Sequence, residues 1–140
     1  MSENQDKPMA IKVSIVDDNE GIRSSLATLI RRAPTLKLLG EYADAETAVK
    51  EIPTKVPDVV LMDINLPGMN GIEATRRLQE WPETREIPVI ALSAAAMLGD
   101  AKRVQEAGFY RYLTKPVRVD DLARALEELL LVPEAGPNAS

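Results

Sequence analysis

The chain has 140 residues, 45% of them hydrophobic, with 17 basic and 22 acidic side chains and a net charge of −5 at pH 7. That length supports one domain with a real core, and the acidic balance argues against non-specific binding to nucleic-acid phosphates. With no cysteine and no histidine, disulfides, thiolate chemistry and the commonest general base are excluded, and any metal would be a hard cation with oxygen ligands.

No apolar run approaches membrane-spanning length, and the polar stretch from Met1 to Pro8 is unlike a secretory signal. Residues 1–8 read as a flexible lead. Ile11, Val13, Ile15 and Val16 form a first strand that runs directly into Asp17-Asp18-Asn19-Glu20. Ile22, Leu26, Leu29 and Ile30 then recur at helical spacing, with Arg31 and Arg32 in the last turn and Pro34 beyond it. Leu36, Leu38 and Leu39 suggest a second strand ending near Tyr42. Asp44 is placed to cap a short helix with Ala45, Ala48, Val49 and Ile52 on its apolar face, closed by Pro53.

The third strand is the most apolar: Val59-Val60-Leu61-Met62 lies between Asp58 and Asp63 and reads as buried on both faces. Pro67-Gly68 and Asn70-Gly71 turn the chain sharply after it. The spacing predicts a helix over 71–80, with Ala74, Leu78 and Trp81 on one face and Pro82 as its stop. Pro88 to Leu92 is a fourth strand with Ser93 at its end. An alanine-rich helix is expected over 96–107, stopping at Gly108. Phe109 to Leu113 is a fifth strand ending at Thr114-Lys115-Pro116, and Asp120 or Asp121 opens a last helix with Leu122, Ala125, Leu126 and Leu129 inward. The domain is expected over 9–132, with 133–140 as a second flexible tail.

Strands alternating with helices imply an α/β fold, a doubly wound parallel sheet with helices on both faces. Ligands of such sheets bind beyond the carboxyl ends of the strands. Those ends supply Asp17 and Asp18, Asp63, Ser93 and Lys115. Each has an ordinary explanation taken alone. Asp17, Asp18, Asp63 and Ser93 could be helix caps, and Lys115 a surface lysine. Their joint arrival at one edge favours chemistry. Three clustered carboxylates repel one another unless a cation or protons compensate. Mg²⁺ suits such a site, because it takes a few carboxylates and keeps other positions for phosphoryl oxygens. Lys115 and Ser93 can hold further phosphoryl oxygens, and aspartate is an acceptor of phosphoryl groups. The residues thus point to a Mg²⁺-dependent acyl-phosphate site.

The chain resembles receiver domains of bacterial two-component response regulators from about Ile11 to Leu130. The likeness rests on Asp17-Asp18, on Asp63 followed by Leu66-Pro67-Gly68-Met69-Asn70-Gly71, on Ser93, and on Lys115-Pro116 preceded by Tyr112. It implies a flavodoxin-like fold with strand order 2-1-3-4-5. It implies that Asp63 is the phosphoacceptor and that Asp18, Asp63 and the Asn65 backbone carbonyl ligate Mg²⁺, with Asp17 acting through water. Ser93 and Lys115 would bind phosphoryl oxygens, Tyr112 would reorient with Ser93 as the switch, and Asn65 and Ala95 would flank the path of hydrolytic water. Residues 11–78 resemble receivers of DNA-binding regulators, and 87–130 resemble receivers attached to hybrid histidine kinases.

The expected function is a cytoplasmic phosphorelay switch that phosphorylates itself and dephosphorylates slowly. Its donor would be a sensor histidine kinase or histidine phosphotransfer protein. Its output surface would be the face made by the fourth predicted helix, the fifth strand and the last helix. It would act as a monomer or weak dimer, with no nucleic acid bound by this chain alone and no membrane. The alternatives are a Mg²⁺-dependent aspartyl-phosphate phosphatase, a phosphate shuttle or sink within a hybrid kinase, and an inert module of the same fold. A phosphatase resembling haloacid dehalogenases would want Asp-x-Asp at the first strand and a cap insertion. This chain has Asp17-Asp18 and no room for a cap.

Overall fold

Two apolar layers, one on each side of a single parallel sheet, account for most of the core. The computed structural model describes residues 10–66, 68–93, 107–115 and 117–131. Its strands are β1 (Ile11–Val16), β2 (Leu36–Tyr42), β3 (Val59–Asp63), β4 (Val89–Ser93) and β5 (Arg111–Thr114). Among the described residues the α-helices are α1 (Glu20–Arg32), α2 (Ala45–Glu51), α3 (Gly71–Gln79) and α4 (Val119–Leu131). All strands pair in parallel in the order β2-β1-β3-β4-β5, the order that the resemblance implies. The helix expected over 96–107 lies outside the described residues, apart from Ala107, which is buried.

Alternation along the strands builds the two layers. Val13, Ile15, Val59 and Leu61 pack with Leu26 and Ile30 of α1 and with Leu122 and Leu126 of α4. Val16, Val60 and Met62 pack on the other face with Ala45, Ala48, Ala74 and Leu78 of α2 and α3. All five residues of β3 and all five of β4 are buried, whereas β2 and β5 are the partly exposed edges. A central parallel strand covered on both faces requires the continuous apolar run seen before Asp63.

Several sequence expectations change in detail: β5 starts at Arg111 rather than Phe109, and α4 opens at Val119, ahead of Asp120. Pro53 does not simply end α2, because Ile52–Thr54 continues as one 3₁₀ turn that accepts proline at its start. Trp81 does not share the buried face of α3. The helix stops at Gln79, and Trp81 lies beyond it, 40% exposed.

The turn after β3 is unusually close-fitting. Gly68 adopts φ +72°, a left-handed conformation natural to glycine. Gly71 begins α3 directly against β3, and a Cβ there would lie 2.2 Å from the Asp63 carbonyl oxygen. Asn70 caps α3 by accepting from the Glu73 N–H at 2.9 Å.

Candidate functional site

The parallel topology brings the ends of β1, β3, β4 and β5 to one edge. Asp17 follows β1 and its N–H donates to the Tyr42 carbonyl at 3.0 Å, which extends the β1–β2 pairing by one residue. Asp17 is completely buried. Its Oδ1 accepts from the Asn19 N–H at 2.9 Å, and its backbone carbonyl accepts from Arg23 Nη1 at 2.8 Å. The cap of α1 is Asn19, whose Oδ1 accepts from the Ile22 N–H at 2.9 Å. Helix capping therefore does not account for Asp17 or Asp18.

Asp63 ends β3 and is 2% exposed. Its Oδ1 accepts from the Asn65 N–H at 2.9 Å, and its Oδ2 lies 3.1 Å from Lys115 Nζ. The same ammonium is 2.8 Å from Asp17 Oδ2. Lys115 is held at this edge by its own N–H, which donates to the Ser93 carbonyl at 2.7 Å and ties the ends of β4 and β5 together. Asp18 is exposed at the mouth. One carboxylate oxygen from each of Asp17, Asp18 and Asp63 lies within 4.8 Å of the other two.

The electrostatics follow from this crowding. Burial pushes the Asp63 carboxyl above the ordinary aspartate range, and the neighbouring Asp17 pushes it the same way. The Asn65 N–H and Lys115 pull against both without cancelling them. Burial alone would lower the Lys115 ammonium, but its hydrogen bond to Asp17 and the charges of Asp63 and Asp17 outweigh that, and its pKa is raised. The Lys115 ammonium thus pairs with two of the three clustered carboxylates. Asp17 Oδ2 is buried against the Lys115 ammonium at 2.8 Å and, among the described residues, has no other partner. An all-oxygen donor set with an incompletely satisfied buried carboxylate fits a hard divalent cation such as Mg²⁺.

Ser93 is fully buried at the end of β4. Tyr112 pairs in register with Ala91, two residues before Ser93, so Ser93 and Tyr112 are diagonal neighbours on one face of the sheet. Tyr112 is half-buried and packs on the cluster of Ile64, Ile72, Ala91 and Ala107. The structure therefore brings Asp17, Asp18, Asp63, Ser93 and Lys115 to one edge and places Tyr112 beside it. Asn65 is adjacent and exposed, while Ala95 lies outside the described residues. Sequence reading missed Asn19 as the cap and Arg23 as the group holding the Asp17 carbonyl. The only sign of Arg23 was a basic residue one turn into α1, on an otherwise ordinary amphipathic helix.

A parallel sheet that gathers a buried aspartate, two further acids and a lysine at the carboxyl ends of its strands fits the handling of phosphoryl groups. Comparison with known families makes the class definite: residues 13–127 match the response regulator receiver domain, and the chain belongs to that family. It is 35% identical over 130 residues to protein-glutamate methylesterase/protein-glutamine glutaminase 1 of Syntrophus aciditrophicus, covering 85% of this chain and 36% of that protein. It is 32% identical over 119 residues to the response regulator UvrY of Escherichia coli, covering 85% of this chain and 54% of UvrY. The chain thus spans about a third to a half of these curated relatives. Among solved structures it resembles a LuxR-family two-component response regulator from Aurantimonas (TM-score 0.80, 32% identity, 87% and 86% of the two chains). It also resembles the receiver domain of the sensor histidine kinase PA1611 from Pseudomonas aeruginosa, solved with magnesium in its active-site cleft (TM-score 0.77, 30% identity, 85% and 96%). The chain is a receiver domain of two-component phosphorelay signalling, a class with histidine kinases on the input side and output partners on the other. No helix among the described residues is long and apolar enough to cross a membrane.

Proposed function

We propose that this receiver accepts a phosphoryl group on Asp63 from the phosphohistidine of a sensor kinase or histidine phosphotransfer protein. The observation that carries this reading is the Asp63 carboxylate, buried at the end of the central strand with two more acids and Lys115 around it. Asp63 Oδ attacks the phosphorus, the P–N bond of the donor breaks, and the imidazole leaves with its electron pair. Asp17, Asp18, Asp63 and the Asn65 carbonyl would hold Mg²⁺, which neutralises charge on the transferring group. Lys115 is already poised between Asp17 and Asp63 and moves with the new phosphoryl oxygens, while the Ser93 hydroxyl donates to another. Movement of Ser93 makes space for the Tyr112 ring, which carries the change to the face formed by β5, α4 and the helix expected over 96–107.

The domain runs over residues 9–132, acts in the cytoplasm as a monomer or weak dimer, and turns over slowly as a switch. An isolated chain of net charge −5 has no use for DNA or a membrane surface. A shuttle or sink role beside a kinase is the second reading, favoured by the likeness to the PA1611 receiver. The two are separated by reverse transfer: a shuttle returns its phosphoryl group to a histidine phosphotransfer protein, and a terminal switch releases it as inorganic phosphate. The phosphatase reading is weakened by the short link Asp17–Asn19 between β1 and α1, which has no cap insertion. Intact-mass measurement after treatment with acetyl phosphate and Mg²⁺ tests the proposal. One added phosphoryl group is expected in the wild type and none in Asp63→Asn. Equal labelling of both would refute it.

A further inference from the structure

Beyond the strand-end residues, one side chain from a different helix reaches the loop that joins β3 to α3. Glu46, in the first turn of α2, accepts through Oε2 from the Met69 N–H at 3.1 Å. The same oxygen lies so close to Gly68 that a Cβ there would approach it to 2.9 Å. The loop is fixed at its ends by backbone hydrogen bonds, one of them to β4. The Ile64 N–H donates to the Leu92 carbonyl at 3.0 Å, and the Gly71 N–H donates to the Ile64 carbonyl at 3.4 Å. Asn65, near the start of the loop, donates to Asp63 Oδ1. At the far side of the turn, the Met69 N–H is met by Glu46.

We infer that Glu46 is a positioning residue, which clamps the β3–α3 loop so that Asn65 presents its backbone carbonyl toward the acidic site. The clamp is the hydrogen bond itself, which a neutral amide oxygen at the same place can also accept. Glu46 is exposed, so it holds the loop without adding to the core. The inference rests on the reading of Asp63, Asp18 and the Asn65 carbonyl as the metal and phosphoryl site. It differs from that reading in naming a residue on α2 that touches neither metal nor phosphate.

The test compares wild type, Glu46→Ala and Glu46→Gln. The amide oxygen of glutamine still accepts from Met69, so it separates the hydrogen bond from the charge. Amide hydrogen exchange by NMR is expected to speed up at Met69 by about tenfold in E46A and to return close to wild type in E46Q. Calorimetric Mg²⁺ affinity should weaken several-fold in E46A and recover in E46Q. Wild-type Mg²⁺ affinity in E46A would overturn the inference even if Met69 exchanges faster. E46Q behaving like E46A would also overturn it, because the charge would then be the cause. Failure of the wild type to bind Mg²⁺ would instead sink the underlying reading of the acidic cluster, and this inference with it.

Discussion

Strand β3 begins and ends beside an aspartate, and the two have opposite fates. Asp58, just before the strand, is exposed, and its Oδ2 accepts from the Lys12 N–H at 2.8 Å. Its own N–H donates to the Lys12 carbonyl at 2.8 Å, and both contacts align β1 with β3. Asp63, five residues later, is buried, its carboxyl raised by burial and by Asp17, with Lys115 as its counter-charge. The residue type and the strand are the same. The difference is what neighbouring strands deliver: the backbone N–H and carbonyl of Lys12 at the amino end, and two acids and an ammonium at the carboxyl end. An aspartate at a strand terminus therefore says little until the sheet order is known.

The largest expected effect that sharpens this contrast is chemical. Asp63→Asn should abolish phosphoryl incorporation from acetyl phosphate, and Asp58→Asn should leave it at the wild-type level, both read by intact mass. Loss of incorporation in both variants would break the comparison. Next comes Lys115→Met, which removes the ammonium from between two buried carboxylates. It should destabilise the metal-free protein by about 3 kcal/mol in urea unfolding at pH 7, the lower end for breaking a buried ion pair, and part of the loss should return on adding Mg²⁺.

Asp18→Ala should weaken Mg²⁺ binding about tenfold, since ligand charge sets affinity in such sites. Unchanged calorimetric affinity would remove Asp18 from the ligand set. Without divalent cations, Asp63→Asn should also raise Tm at pH 7, because the ionised Asp63 is disfavoured by burial and by Asp17. A carboxyl raised in the folded state adds stability that is fully present at low pH and is lost as pH rises through its folded pKa. The advantage of the Asn variant should accordingly shrink as pH falls through that value. A gap that widens on acidification would contradict the assigned cause. The smallest effect is Asn19→Ala, which should cost about 1 kcal/mol through loss of the α1 cap and leave Asp17 and Asp18 functional.

The sheet and its acidic edge were legible because their signals are local. An unbroken apolar run marks β3, turn dipeptides mark where it stops, and a carboxylate stands at the junction. The parallel order then places Asp17, Ser93 and Lys115 beside it by topology alone. Trp81 was misread because apolar spacing continues past the point where the chain, approaching Pro82, leaves the helix. Arg23 and Glu46 were invisible for a different reason. Both are charged side chains on amphipathic helices, where solvent is the ordinary destination. Arg23 turns back to a carbonyl six residues earlier, and Glu46 reaches Met69, 23 residues away, so neither contact follows from helical spacing.

The close contact between Gly71 and the Asp63 carbonyl has a consequence for anyone who would transplant this site onto another parallel sheet. Copying Asp17, Asp18, Asp63, Ser93 and Lys115 would be insufficient. The end of β3 and the first residue of α3 form one inseparable insert, because a methyl group at position 71 would collide with the Asp63 carbonyl. A host scaffold must therefore offer a strand-to-helix junction with a bare α-carbon at that depth. A designer who keeps Asp63 but writes Ala at position 71 forces the Asp63 backbone to shift.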